Sequence, residues 1–118
     1  MSKTVPKIES YEFGRVVIDG KTYTADVIVT PDGVKEQWWR KEGHSLYPED
    51  LECVLTAEIE VVIIGCGAYG VLKVPEDTRT WLAQKGIDLI ALPTPAASKR
   101  YNEISESAKV IAGLHLTC

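Results

Sequence analysis

The sequence predicts an α/β domain of three layers: a central mixed β-sheet, helices packed on it, and an antiparallel hairpin layer from the N-terminal third. Three observations carry this. The first third alternates strand-type runs with Asp-Gly and Pro-Asp-Gly turns. From residue 48 onward, short apolar runs alternate with helical patterns that open at a proline. Finally, 118 residues, 45% of them hydrophobic, suffice for one core and are too few for two. Residues 1–118 are therefore read as a single domain.

Residues 8–18, IESYEFGRVVI, form the first strand-type run and meet Asp19-Gly20; TYTADVIVT (22–30) follows at once. Asp-Gly between two such runs signals a hairpin, because a type I′ turn needs positive φ at both central positions. Period-2 alternation places Tyr23, Ala25, Val27 and Val29 on one face and Thr24, Asp26 and Ile28 on the other. Pro31-Asp32-Gly33 turns the chain again, and VKEQWW reads as a third, returning strand. Pro48 then opens a helix with Glu49 and Asp50 in its first turn and Leu51, Val54 and Leu55 at i, i+3, i+4. VVIIG (61–65) is unbroken and apolar, as expected of a strand covered on both faces. Pro75-Glu76-Asp77 starts a second helix, which carries Trp81 and Leu82 and stops at Gly86. IDLIAL (87–92) is a further buried strand. Thr94 reads as the N-cap of a helix with Pro95 at its first position and Ala97, Tyr101 and Ile104 on one stripe. AKVIAGLHL closes the chain as a last strand.

A net charge of −4, with basic residues scattered, argues against a nucleic-acid partner, which needs clustered Lys and Arg. No apolar run approaches the roughly 18–20 residues of a membrane span, and MSKTVPKIES has no signal-peptide core. The expectation is a cytoplasmic protein without a membrane partner. Cys53, Cys66 and Cys118 form no C-x-x-C pair, so neither a metal nor a redox motif is expected; they read as reduced thiols, with a disulfide at Cys118 left open.

The most chemical-looking feature is GCGAYG, Gly65–Gly70, literally G-x-G-x-x-G after an apolar strand. A dinucleotide turn needs a helix to begin there, with its N-terminus on the pyrophosphate. Here AYGVLKVP follows, and the helix signal starts only at Pro75. This argues against NAD or FAD, and no cofactor is expected. What survives is a turn at a strand's C-terminal end, where backbone N–H groups can hold an anion. His115 and Thr117 share one face of the last strand, and Leu116 and Cys118 the other, so His115 and Cys118 are no metal pair. The neighbours Trp38 and Trp39 point to opposite faces of a strand, so one of them can reach an interface, with Arg40 able to stack on an indole. Lys41 to His44 read as a surface loop.

Taken in order, FGRVVIDGKTY, WWRKEGH, VVIIGCGAYG, TPAASKRYN and HLTC resemble a family of small α/β proteins of undefined molecular function. It was founded by a hypothetical protein of a methanogenic archaeon. It includes the adipogenesis-associated domain-containing protein of animals and, more distantly, mitochondrial complex I assembly factor three. The resemblance implies a three-layer fold and no established activity. Its motif positions fall on Arg40, Gly43, His44, Gly65, Gly67, Gly70, Thr94, Ala97, Tyr101, Asn102, His115, Thr117 and Cys118. Cys66 departs from the family pattern.

Two functions follow as expectations. The first is a binding or interaction module using Trp38, Trp39, Arg40 and His44, with a protein partner or a second copy. The second is a small-anion binder or enzyme with its site at Gly65, Cys66, Gly67, Gly70, Thr94, Tyr101, Asn102 and His115. There the Thr94 helix N-terminus would hold the anion, and His115 with Tyr101 or Asn102 would orient it or move a proton.

Overall fold

The computed structural model describes residues 5–38, 40 and 44–117. Among them, Ile8–Glu12 (β1), Arg15–Ile18 (β2) and Lys21–Tyr23 (β3) form a three-stranded antiparallel sheet. A second sheet comprises Val27–Thr30 (β4), Gly33–Lys35 (β5), Val61–Cys66 (β6), Asp88–Leu92 (β7) and Val110–His115 (β8), ordered β5-β4-β8-β6-β7. It is mixed: β6 runs parallel to β7 and β8, while β4 is antiparallel to β5 and β8. The helices are Glu76–Gln84 (α1) and Thr94–Ile104 (α2).

The layers follow from side-chain alternation in β6 and β8. Val61, Ile63, Val110, Ala112, Leu114 and Leu116 face α2, through Ala97 and Tyr101, and the small sheet, through Val16 and Ile18. Val62, Ile64, Cys66 and Ile111 face α1, through Leu82, and the 36–60 segment, through Trp38, Leu46 and Leu51. The connection β6–α1–β7 moves outward across the sheet, and β7–α2–β8 moves back past β6. Two crossovers of one hand that run in opposite directions must use opposite faces, and α1 and α2 do. The predicted architecture of central mixed sheet, helices and N-terminal antiparallel layer is the one found.

The differences are local. The run 8–18 is itself a hairpin, turning at Phe13-Gly14 with Gly14 at φ 79°. The run 22–30 is two strands: Tyr23 pairs with Val16, but Val27 pairs with Leu114, so the chain changes sheets across 24–26. Ala25 is exposed there. Only Gly33–Lys35 of the returning run is strand, since Gln37 takes φ 55°. The helix expected at Pro48 is a single 3-10 turn, Pro48–Asp50. The Asp50 carbonyl, which a continuing helix would give to Val54, instead accepts the Trp38 indole N–H at 3.0 Å, and Val54 N–H goes to Leu51. The strand expected at 87–92 lies at a sheet edge and is half-buried rather than buried. Gly86 does end α1, at φ 74°, with Ile87 N–H returning to the Leu82 carbonyl and Gly86 N–H to Ala83, the double bond of a Schellman cap.

Candidate functional site

The carboxyl ends of β6 and β8 gather the buried Arg40, Thr94 and His115. His115 ends β8 on the Trp38 face, beside Cys66 of β6. Asp26 precedes β4 and lies across from it. One Asp26 oxygen, Oδ2, is 2.8 Å from His115 Nδ1 and 2.8 Å from Arg40 Nη1. The other, Oδ1, accepts the Leu116 N–H at 2.8 Å. Arg40 Nη2 also stands 3.1 Å from His115 Nδ1. A carboxylate only accepts, so Nδ1 carries a proton and donates it to Asp26. Arg40 then binds the carboxylate rather than the ring. Burial pushes the Asp26 carboxyl up, but the bonds from His115, Leu116 and Arg40, with the Arg40 charge, outweigh it and hold the group below its ordinary value. His115 Nε2 is buried with no partner among the described residues, and the exposed His44 ring lies edge-on to it, centroids 5.9 Å apart.

Trp38 fixes this cluster from the side. It was expected at an interface; it is instead 7% exposed, packed on Gly113 with the Arg40 guanidinium 4.8 Å from its ring. Arg40, expected beside it, is also buried, with its Nη1 2.8 Å from Asp26 Oδ2. Among the described residues of this group His44 is the exposed one. Trp39, Gly43 and Cys118 lie outside the described residues.

The glycine turn is built for close approach. Gly67 takes φ 96° and Gly70 φ 68°, conformations that suit glycine. A Cβ on Gly65 would stand 3.0 Å from Thr94 Oγ1. Thr94 was expected to cap α2; it is instead the first helical residue, since Ala97 N–H reaches the Pro93 carbonyl at 2.9 Å. Its hydroxyl accepts Gly67 N–H at 2.8 Å and donates to the His115 carbonyl at 2.6 Å, while its own N–H donates to Gly67 at 3.0 Å. Thr94 thus rivets β6, β8 and α2 together, and these groups face one another instead of a ligand.

Tyr101 and Asn102 do not join His115. They lie on α2, across the sheet, and tie down the N-terminal segment: the Tyr101 hydroxyl donates to the Pro6 carbonyl at 2.7 Å, and Asn102 exchanges two bonds with the Ile8 backbone. Burial pushes the Tyr101 phenol up to about 12. Burial likewise pushes the Cys66 thiol up, against the opposing charges of Lys73 and Arg79, which leaves it a protonated, weak nucleophile. Sequence reasoning passed over Asp26, read as one of several polar residues on a strand face, and the exposed aromatic pair Phe13 and Tyr69, whose rings stand 6.2 Å apart. Among the described residues no three His, Cys, Asp or Glu gather to hold a metal, and no helix is long and apolar enough to cross a membrane.

The family model described as "Protein of unknown function (DUF498/DUF598)" matches residues 8–115. Among solved structures, the conserved hypothetical protein PH1505 of Pyrococcus horikoshii is 30% identical with a TM-score of 0.81, over 95% of this chain and 99% of that one. The protein designated MT938 is 34% identical with a TM-score of 0.78, over 96% and 99%. A protein of Bartonella henselae described as an outer membrane protein is 27% identical with a TM-score of 0.82, over 98% of each chain.

Proposed function

The chain belongs to the family described as Protein of unknown function (DUF498/DUF598), and from that premise we propose that it is a cytoplasmic binding module for a protein partner rather than an enzyme. The contact surface is where the Phe13-Gly14 turn meets the glycine turn. One observation carries this: Phe13, 58% exposed, and Tyr69, 76% exposed, stand together although 56 residues apart in sequence. Both turns are pinned to the exit of β8, Gly14 N–H to Leu116 at 2.8 Å and Ala68 N–H to Thr117 at 2.7 Å. The Tyr11 hydroxyl adds a third bond, to Leu116, at 2.7 Å. Aromatic anchors held in place before contact lose little entropy on binding. The Asp26–His115–Arg40 cluster holds the same exit of β8, Asp26 accepting the Leu116 N–H at 2.8 Å. This moves the binding face from Trp38 to the aromatic pair. The acidic net charge supports a protein over a nucleic acid. Kinship with the adipogenesis-associated domain-containing protein and complex I assembly factor three, drawn from the motif set, belongs to the same proposal.

The test compares the wild-type chain with a Phe13→Ser, Tyr69→Ser double variant as immobilised bait. The wild type should retain a stoichiometric partner that the variant loses while its unfolding curve stays unchanged. Equal retention by both would refute the assignment. Self-association lost in the variant would make the partner a second copy.

A further inference from the structure

We propose that the crevice between the glycine turn and the start of α2 is a binding site for a small carboxylate with a short apolar tail. This does not depend on the aromatic surface. At the carboxyl ends of the parallel neighbours β6 and β7 the chain leaves in opposite directions. After β6 it crosses to the α1 face; after β7 it enters α2 on the other. In open α/β sheets such a divergence opens a crevice where ligands bind. Here a cavity of about 270 Å³ lies at that point, lined by Cys66, Gly70, Lys73, Arg79, Leu92 and Pro93 among others.

Its chemistry is lopsided. Lys73 and Arg79 are the charged residues of the lining, and no acid joins them. Lys73 Nζ reaches the Gly70 carbonyl at 3.4 Å and Arg79 Nε the Val74 carbonyl at 3.2 Å. Neither cation has a carboxylate partner among the described residues. Both residues line the same cavity as the buried Cys66, and Gly70, whose carbonyl Lys73 reaches, and Val74, whose carbonyl Arg79 reaches, line it too. The remaining walls, Leu72, Val74, Ala91, Leu92 and Pro93, are apolar. Two cations beside apolar side chains in one open crevice match an anionic head and a hydrocarbon tail. A space of about 270 Å³ admits a tail of a few carbons. The protonated Cys66 serves as floor, and no covalent step is involved.

The test uses hexanoate, 1-hexanol and inorganic phosphate, titrated into the full chain and followed by amide chemical shifts. Hexanoate should shift Gly70, Lys73, Arg79 and Ala91 saturably. A Lys73→Gln, Arg79→Gln variant, both positions exposed, should fold normally and bind at least tenfold more weakly, and hexanol should bind wild type at least tenfold more weakly. No saturable shift, equal binding by the variant, or phosphate matching hexanoate would each overturn the proposal.

Discussion

Replacing Gly113 with alanine should destabilise the protein through one collision. A Cβ there would lie 2.6 Å from Trp38 Cη2 and 2.8 Å from Cζ3, well inside the ~3.5 Å of a carbon contact. Gly113 has no positive φ, so backbone strain adds nothing and the whole cost is steric. β8 is clamped between β4 and β6, so the indole must move. Moving it breaks the buried Nε1–H bond to the Asp50 carbonyl and displaces the stacked Arg40. Overpacking costs about 1–3 kcal/mol and an orphaned buried donor about 1–3 kcal/mol, overlapping to a total of about 2–4 kcal/mol. For a chain of this size that lowers Tm by roughly 8–16 °C. Urea denaturation followed by far-UV circular dichroism measures it. Trp38→Phe, which removes the colliding end of the ring, should partly rescue Gly113→Ala, with a coupling of about 1 kcal/mol or more in a double-mutant cycle. A loss below about 0.5 kcal/mol, or additive single effects, would refute the reasoning.

Asp26→Asn removes the carboxylate that binds Arg40 and His115 and should cost about 3 kcal/mol at pH 7. Because the folded-state value of Asp26 is lowered, its contribution is complete above the unfolded value of about 3.9 and drains away as pH falls below it. The gap between wild type and variant should therefore close in acid, and a gap independent of pH would contradict the assignment. Thr94→Val orphans the Gly67 N–H and the His115 carbonyl at once and should cost about 2–4 kcal/mol, whereas Thr94→Ser should stay within about 1 kcal/mol of wild type; equal losses would show that packing, not the hydroxyl, matters. In a Cys118→Ser background, a disulfide reagent should titrate the exposed Cys53 promptly and the buried Cys66 only on unfolding; two prompt thiols would disprove the burial of Cys66.

Local chemistry made much of the fold legible. Asp19-Gly20, Gly86 and the unbroken VVIIG run each state a local conformation, and each is found. The Phe13-Gly14 turn hid because Phe13 is itself a strand-type residue and strand-type runs lie on both sides of the turn. The switch of sheets at 24–26 hid because alternation persists through Thr24-Ala25-Asp26 while the pairing partner changes. The helix at Pro48 failed through a tertiary contact, the Trp38 indole taking the Asp50 carbonyl. The site behaves likewise. His115 and Arg40 were noticed for their chemistry, but their partner Asp26 lies 89 residues from His115, and no local pattern connects the two. Tyr101 and Asn102 read as site residues because they fall at motif positions of the resembled family; their partners are backbone groups of the N-terminal segment.

The most direct test of the proposed binding surface is a photo-reactive residue placed at Tyr69, with a control at the exposed Lys85. Irradiated in cells, position 69 should give a discrete adduct that position 85 does not, and Phe13→Ser should abolish it. An adduct of twice the chain's mass would identify a second copy as the partner on that same surface. No adduct from position 69 beyond the control would contradict the claim that the aromatic pair is a contact site.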